Sequence, residues 1–407
     1  MSFFRFVKEN LPFLSAGFLL MLSSSYGQTF FISIFAGEIR NAFGLSHGAW
    51  GAIYSAGTMA SAIVMIWAGG LTDRFRVRVL ARATLLILAA ACLAMAAAPG
   101  AWALPFVIFA LRFSGQGMTS HTAVVAMARW FVGARGRALS FASLGIATGE
   151  SILPLTFVAL MPILSWRGLW VVAALLALAV LPVVARLLRL ERTPQQVAHE
   201  GQSSGMSNRH WFRREVLSHW LFWFLMPSLL APAAFSTAFF FQQVHLAETK
   251  GWAHMQLVAL FPVFTAAAIA SMVASGWLID RVGSGRLMPF FQIPMALGFV
   301  LMSAAESLVA ATVAVICMGI TQGANSTAPN AFWAEYYGTA NLGSIKAMAA
   351  AVMVLGTAIG PGLTGLLIDM GLIFEDQMIG IAVYFLIGAG LAFIGIRRAR
   401  PYLAMAS

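Results

Sequence analysis

The chain has 407 residues, 60% hydrophobic and only 10% charged, with a formal net charge of +11 and a mean hydropathy of +0.85. A water-soluble domain carries about 25% charged residues, so this composition excludes a soluble enzyme or binding module, and most of the surface must face hydrocarbon. The positive charge raises nucleic acid as a partner, and the placement of the basic residues then argues against it.

The N-terminal MSFFRFVKEN is charged but lacks a short apolar run followed by a small-residue cleavage site, so the first apolar segment reads as a retained helix. A helix crosses the hydrocarbon in about 20 residues. Twelve stretches meet that length, at 11–36, 49–70, 79–98, 102–128, 138–162, 168–188, 217–244, 254–277, 287–305, 308–334, 346–369 and 378–397. The fold class expected is an all-α polytopic membrane protein of two six-helix bundles. The only long polar stretch, LERTPQQVAHEGQSSGMSNRHWFRRE, divides the chain into residues 1–190, a linker at 191–215 and residues 216–407.

In chain order, span 1 carries Tyr26, Gln28 and Thr29 at mid-length, and the loop after span 2 reads GGLTDR. Span 4 carries Arg112, Gln116 and His121, and span 5 carries Glu150 within LGIATGESILP. Pro227 and Pro232 should kink span 7, which ends in Gln242, Gln243 and His245. The loop after span 8 reads GWLIDR, and span 10 carries Gln322, Asn325 and Asn330. Cys92 and Cys317 lie in apolar runs and read as small packing residues. The histidines show no ligand spacing, and neither a metal nor a cofactor is expected.

By this layout 21 of the 25 lysines and arginines fall on one side of the membrane. Only Arg40, Arg167 and Lys250 fall on the other, and Arg112 lies within a span. Basic loops stay cytoplasmic, so both termini and the linker are expected inside a multi-pass protein of the cell membrane. The positive charge is then topological, and nucleic acid is not an expected partner.

The two halves match at a fixed offset. Gly69, Leu71, Asp73 and Arg74 correspond to Gly276, Leu278, Asp280 and Arg281, each 207 residues on, and the same shift relates Gly136 to Gly343, Gly149 to Gly356 and Pro154 to Pro361. Parallel repeats of this kind place a substrate path between the halves, near the midplane.

These two loops, GGLTDRFRVR and GWLIDRVGSGR, resemble the loop signature of the major facilitator superfamily, roughly GxLxDRxGRR, with Arg76 standing where glycine is usual in the first copy. The resemblance implies a transporter that works by alternating access. Asp73 and Arg74, with Asp280 and Arg281, would be gating residues at the cytoplasmic side. Spans 1, 4, 7 and 10 would line the cavity, and Tyr26, Gln28, Arg112, Gln116, Gln322 and Asn325 are the candidate substrate ligands it selects. Two stretches, ARWFVGARGRALSFASLGIATGESILP and FFFQQVHLAETKGW, are loosely similar to the branch of oxalate/formate antiporters and monocarboxylate transporters.

Two charged groups sit at bilayer depth, where insertion costs at least about 2.5–3.5 kcal/mol each. Arg112 is roughly 15 Å from the outer end of its span and Glu150 roughly 18 Å from the inner end of its own, at 1.5 Å per residue. In a core about 30 Å thick both lie near the middle, and a direct pair is feasible. Three readings follow: a structural ion pair joining spans 4 and 5; a proton site at Glu150 tuned by Arg112; or a carboxylate site at Arg112 tuned by Glu150. The expected function is secondary active transport of a small organic anion, with a carboxylate as the natural cargo of one arginine. Proton-coupled efflux of an apolar or cationic compound is the alternative. One chain would hold the whole path and work as a monomer in the bilayer.

Overall fold

The computed structural model describes residues 3–131, 135–190, 204–338 and 341–404. The first half of the expected linker, residues 191–203, therefore lies outside the described residues. The described residues are mainly helical, with no strand among them. Among the described residues, nine helices are long and apolar enough to cross a membrane by themselves. A tenth pass consists of two pieces, Val7–Gly27 and Thr29–Phe43, which meet at 50°. The remaining two expected spans are the interrupted helix from Leu104 to Trp130 and the short Ile293–Ser303. All twelve expected spans thus appear in order, three of them in forms that a single straight, membrane-length helix does not describe.

The chain divides into two compact units, Met1–Ala198 and His199–Ser407. In the first, a core of Leu14, Leu20, Leu85, Met127 and Trp130 joins spans 1, 3 and 4. In the second, Phe222, Leu225, Phe291, Phe332 and Trp333 join spans 7, 9 and 10. Packing inside each unit depends on small residues, as expected where lipid is as apolar as the helices and no hydrophobic force draws them together. A Cβ on Gly145 would lie 2.2 Å from the Phe18 carbonyl oxygen, and one on Gly149 would lie 2.0 Å from Ser25 Oγ. Span 5 therefore touches span 1 backbone to backbone.

The same construction recurs in the second unit. Span 7 contains a π-helical segment, Pro232–Ser236, beginning at one of the two prolines expected to kink it. Gly356 and Gly360 of span 11 pack on it, with a Cβ on Gly360 falling 2.1 Å from the Ala234 carbonyl oxygen. The 207-residue offset takes Gly149 to Gly356 and Ser25 to Pro232. In both halves, then, the repeat places an irregular turn against a glycine face.

The three basic residues on the sparsely charged side are each engaged. Arg40 Nη1 meets His47 Nδ1 at 3.1 Å. Arg167 Nη1 donates to the carbonyls of Ala96 (2.7 Å) and Ala98 (3.0 Å) at the end of span 3. Lys250 Nζ donates to the Ser303 carbonyl (2.7 Å) at the end of span 9 and pairs with Glu375 at 3.1 Å. Ala96 and Ser303 are 207 residues apart. Equivalent helix C-termini, where carbonyls lack partners and the dipole favours a cation, are thus capped by an arginine in one half and a lysine in the other.

The glycine contacts yield a direct expectation. Gly27→Ala introduces a methyl 2.2 Å from the Leu111 carbonyl oxygen, and overpacking of this kind costs about 1–3 kcal/mol. Thermal unfolding of the purified variant should begin at a lower temperature than for the unaltered chain. Gly136→Ala, where nothing lies within 4 Å, should leave it unchanged.

Candidate functional site

The site grows from two local departures from α-helix. Span 1 breaks at Ser25–Gly27, a turn of 3-10 helix, after which Gln28 is extended (φ −87°, ψ 154°) and caps the segment starting at Thr29. Phe31 and Ile32 donate to the Gln28 carbonyl, which leaves the carbonyl of Gly27 outside the helical ladder. Opposite, residues Arg112–Thr119 of span 4 form a π-helical segment. Its loosened carbonyls are met by hydroxyls: Ser114 Oγ donates to Ala110 O (2.6 Å), Thr119 Oγ1 donates to Ser114 O (2.6 Å), and Ser120 Oγ donates to Gln116 O. The run RFSGQGMTS carries its own replacement donors, which is why so wide a turn is tolerated in an apolar span.

The two irregular segments meet at glycines. A Cβ on Gly27 would lie 2.8 Å from Gly115 Cα, and one on Gly115 would lie 2.7 Å from Gly27 Cα. Only residues without side chains allow the backbones so close. That approach brings Arg112 to the break: its Nη1 donates to the Gly27 carbonyl at 3.1 Å and to Thr29 Oγ1 at 3.3 Å. Thr29 Oγ1 and Tyr54 Oη, from span 2, lie 2.5 Å apart. The Arg112 guanidinium carbon is 5.4 Å from the centre of the Tyr54 ring, within cation–π reach. Arg112 is 1% exposed.

The other edge of the guanidinium is different. Nε and Nη2 are buried and have no hydrogen-bond partner among the described residues. These two nitrogens form one side of the fork, the side that accepts a carboxylate through two parallel hydrogen bonds. Buried polar groups are almost always satisfied, so an arginine tethered on one edge and empty on the other has the form of a receptor.

Not all the expected partners gather here. Glu150 is half-buried on span 5, and it is not among the partners of the guanidinium, which are Gly27, Thr29 and Tyr54. The feasible Arg112–Glu150 pair is therefore not the contact that Arg112 makes. Matching depth does not fix which way a side chain points around its helix. Tyr26 is buried with its ring edge-on to Phe31 at 5.2 Å. Gln28 and Gln116 are half-buried, Gln28 at the break and Gln116 within the π segment. Gln322 and Asn325 belong to span 10 of the second unit, exposed and half-buried respectively. At the far end of span 7, Gln242 donates to Thr364 Oγ1 (3.1 Å), and Gln243 donates to Phe240 O (2.9 Å) and meets His254 (3.2 Å). Those two glutamines are structural links within that unit.

Among the gating candidates, the side chain of Asp73 lies outside the described residues, and Arg74 is exposed. Arg129, at the end of span 4, donates to the Thr72 carbonyl and so holds the first loop. In the second loop Asp280 and Arg281 are exposed, with Arg281 over the Trp277 ring at 3.9 Å. The group that holds this loop is Glu335, which accepts from Ser284 N (2.9 Å) and Ser284 Oγ. Sequence reasoning passed over Tyr54, a single tyrosine in an apolar helix, and the Gly27–Gly115 contact. The clustered Gly, Gln and hydroxyl residues in SYGQT and SGQGMTS were the available signal.

The profile of the Major Facilitator Superfamily matches residues 17–361, with a further match over residues 263–401. The chain belongs to that superfamily, and it is a multi-pass membrane transporter rather than an enzyme. Its fold is similar to two crystal structures of a bacterial homolog of the human lysosomal transporter Spinster. One is inward-facing and unoccupied (TM-score 0.74, 16% identity, covering 97% of this chain and 98% of that one). The other is inward-facing and occupied (0.67, 14%, covering 98% and 95%). The nucleoside transporter NupG is similar as well (0.69, 13%, covering 98% and 100%). No curated protein shows significant sequence similarity to the chain.

The Thr29–Tyr54 link can be tested by a double-mutant cycle. Tyr54→Phe keeps the ring under Arg112 and removes one hydrogen bond, at a cost of about 1 kcal/mol. Thr29→Val removes that bond and an anchor of the guanidinium, and should cost more. The double variant should unfold at nearly the same temperature as Thr29→Val alone, because the shared bond is lost only once.

Proposed function

We propose that this transporter carries a small organic anion, a carboxylate, across the cell membrane by alternating access, and that Arg112 is its recognition residue. The observation that supports this most directly is the empty Nε–Nη2 edge of a guanidinium whose other edge is fixed by Gly27 and Thr29. A fork held rigid by packing and hydrogen bonds loses little freedom when a carboxylate arrives. The edge is shut off from solvent in the conformation described, as a transport site is during part of its cycle. The setting also fits: transporters place their sites at interrupted helices near the midplane, and both the break in span 1 and the π segment of span 4 adjoin this arginine. The loose similarity of two stretches to oxalate/formate antiporters and monocarboxylate transporters points to the same class of cargo.

In this reading Glu150 carries the coupled proton. Cargo and proton then enter together. Cytoplasmic termini, and action as a monomer, belong to the same proposal. Proton-coupled efflux of a cation through Glu150 is the competing reading, and the empty fork favours the anion.

Reconstituted vesicles separate the two. Arg112→Lys keeps the charge and loses the fork, and should lower carboxylate uptake at least about tenfold, the 1.4 kcal/mol equivalent of one charge-assisted bond. Glu150→Gln should leave anion exchange intact while abolishing accumulation driven by a pH gradient. Retention of full pH-driven accumulation by Glu150→Gln would remove the proton role. Undiminished carboxylate uptake by Arg112→Lys would remove the recognition role.

A further inference from the structure

A cavity of about 720 Å³ lies in the second unit, among the loop after span 8, the start of span 9 and the ends of spans 10 and 12. It falls within the size range of small-molecule sites, about 300–1,000 Å³. Its lining has two characters. Arg286, Arg397 and Arg400 bring three guanidinium groups to it, while Phe290 and Phe393 supply an aromatic wall. The single acid in the lining, Glu335, is engaged by the amide and hydroxyl of Ser284. The formal charge of the lining is therefore +2, from three arginines and one glutamate. None of the three arginines makes a hydrogen bond or an ion pair among the described residues. Three like charges gathered around one hollow repel each other, and an anion in the hollow relieves that repulsion.

The order of residues along span 12 says what sort of anion. Phe393, Ile396, Arg397 and Arg400 fall at i, i+3, i+4 and i+7 and share one face of the helix. Phe290 and Phe393, with ring centres 6.1 Å apart, remain 52% and 44% exposed despite their size. Within about 10 Å of helix, from residue 393 to residue 400, the face changes from exposed aromatic rings to guanidinium groups. A soluble anion would use only the arginines. An amphiphile with a phosphate at one end and hydrocarbon at the other matches both. The excess of basic residues assigns this end of the spans to the cytoplasmic side, and basic pockets between helices there suit lipid headgroups.

We propose that this pocket binds the phosphate headgroup of an anionic phospholipid, with Arg286, Arg397 and Arg400 around the phosphate and the acyl chains laid along Phe290 and Phe393. The site is separate from Arg112 and does not depend on the nature of the cargo. A bound headgroup joins the loop after span 8 to the ends of spans 10 and 12.

The test is native mass spectrometry of the purified full chain in detergent, titrated with phosphatidylglycerol or phosphatidylcholine. Phosphatidylglycerol should be retained in preference, and each of Arg286→Gln, Arg397→Gln and Arg400→Gln should weaken it by about fivefold. Arg398→Gln, exposed on the same helix and outside the lining, should not. Equal retention of the two lipids, or undiminished phosphatidylglycerol binding by the triple variant, overturns the proposal. Displacement of the lipid by millimolar inorganic phosphate would assign the site to a soluble anion and overturn it as well. A second measurement needs no variant. Phosphatidylglycerol with a photoreactive acyl chain should label peptides containing Phe290 or Phe393 on the unaltered chain, and labelling elsewhere only would refute the assignment.

Discussion

A guanidinium deep in a membrane protein must be held by something, and here the holder is a main-chain carbonyl. Gly27 presents that carbonyl because span 1 leaves the α-helix at Ser25–Gly27, and Arg112 reaches it because Gly27 and Gly115 let the two backbones touch. Remove the glycines and the spans separate. Close the break and the carbonyl returns to its own helix. The geometry at the centre of the first unit depends on this one contact, including the orientation that leaves Nε and Nη2 unmatched. A buried and half-satisfied cation costs stability, and here that cost falls where a helix break and a π segment meet.

Around this centre the duplicated halves reuse a design and vary its chemistry. Each has an irregular segment on its first span against glycines of its fifth, and each caps the C-terminus of its third span with a cation from elsewhere in the half. The polar content differs. The first unit places an arginine beside its irregular turn, whereas the π segment of the second, PAAFS, carries no charge and packs against Gly356 and Gly360. The duplication supplied the framework, and the ionisable group was confined to one copy.

The spans were legible because hydropathy is a sum over about 20 residues and survives local irregularity. Span 10, expected at 308–334, is Leu308–Tyr337, and span 2, expected at 49–70, is His47–Ala68. The same averaging hid the features that make the site. A break of three residues in span 1 and a widened turn in span 4 leave hydropathy unchanged, so Arg112 was recognisable by depth while its partners were not. Depth alone suggested Glu150. The azimuth of each side chain, which depends on the exact turn count through Arg112–Thr119, selected Gly27, Thr29 and Tyr54 instead. The loops tell a similar story: the Asp-Arg signature marked their position, and Arg129 and Glu335, one span away, were found to grip them.

The tether of Arg112 has a mechanical implication. Its acceptor, the Gly27 oxygen, is available only while the first span stays bent; in a straight α-helix that oxygen would take the amide four residues on. Straightening the rod and releasing the cation are thus one event. A charge whose leash is a flexed segment of backbone reports the curvature of that segment, so the hold on Arg112 and the tilt of an entire membrane-crossing rod are two ends of a single lever.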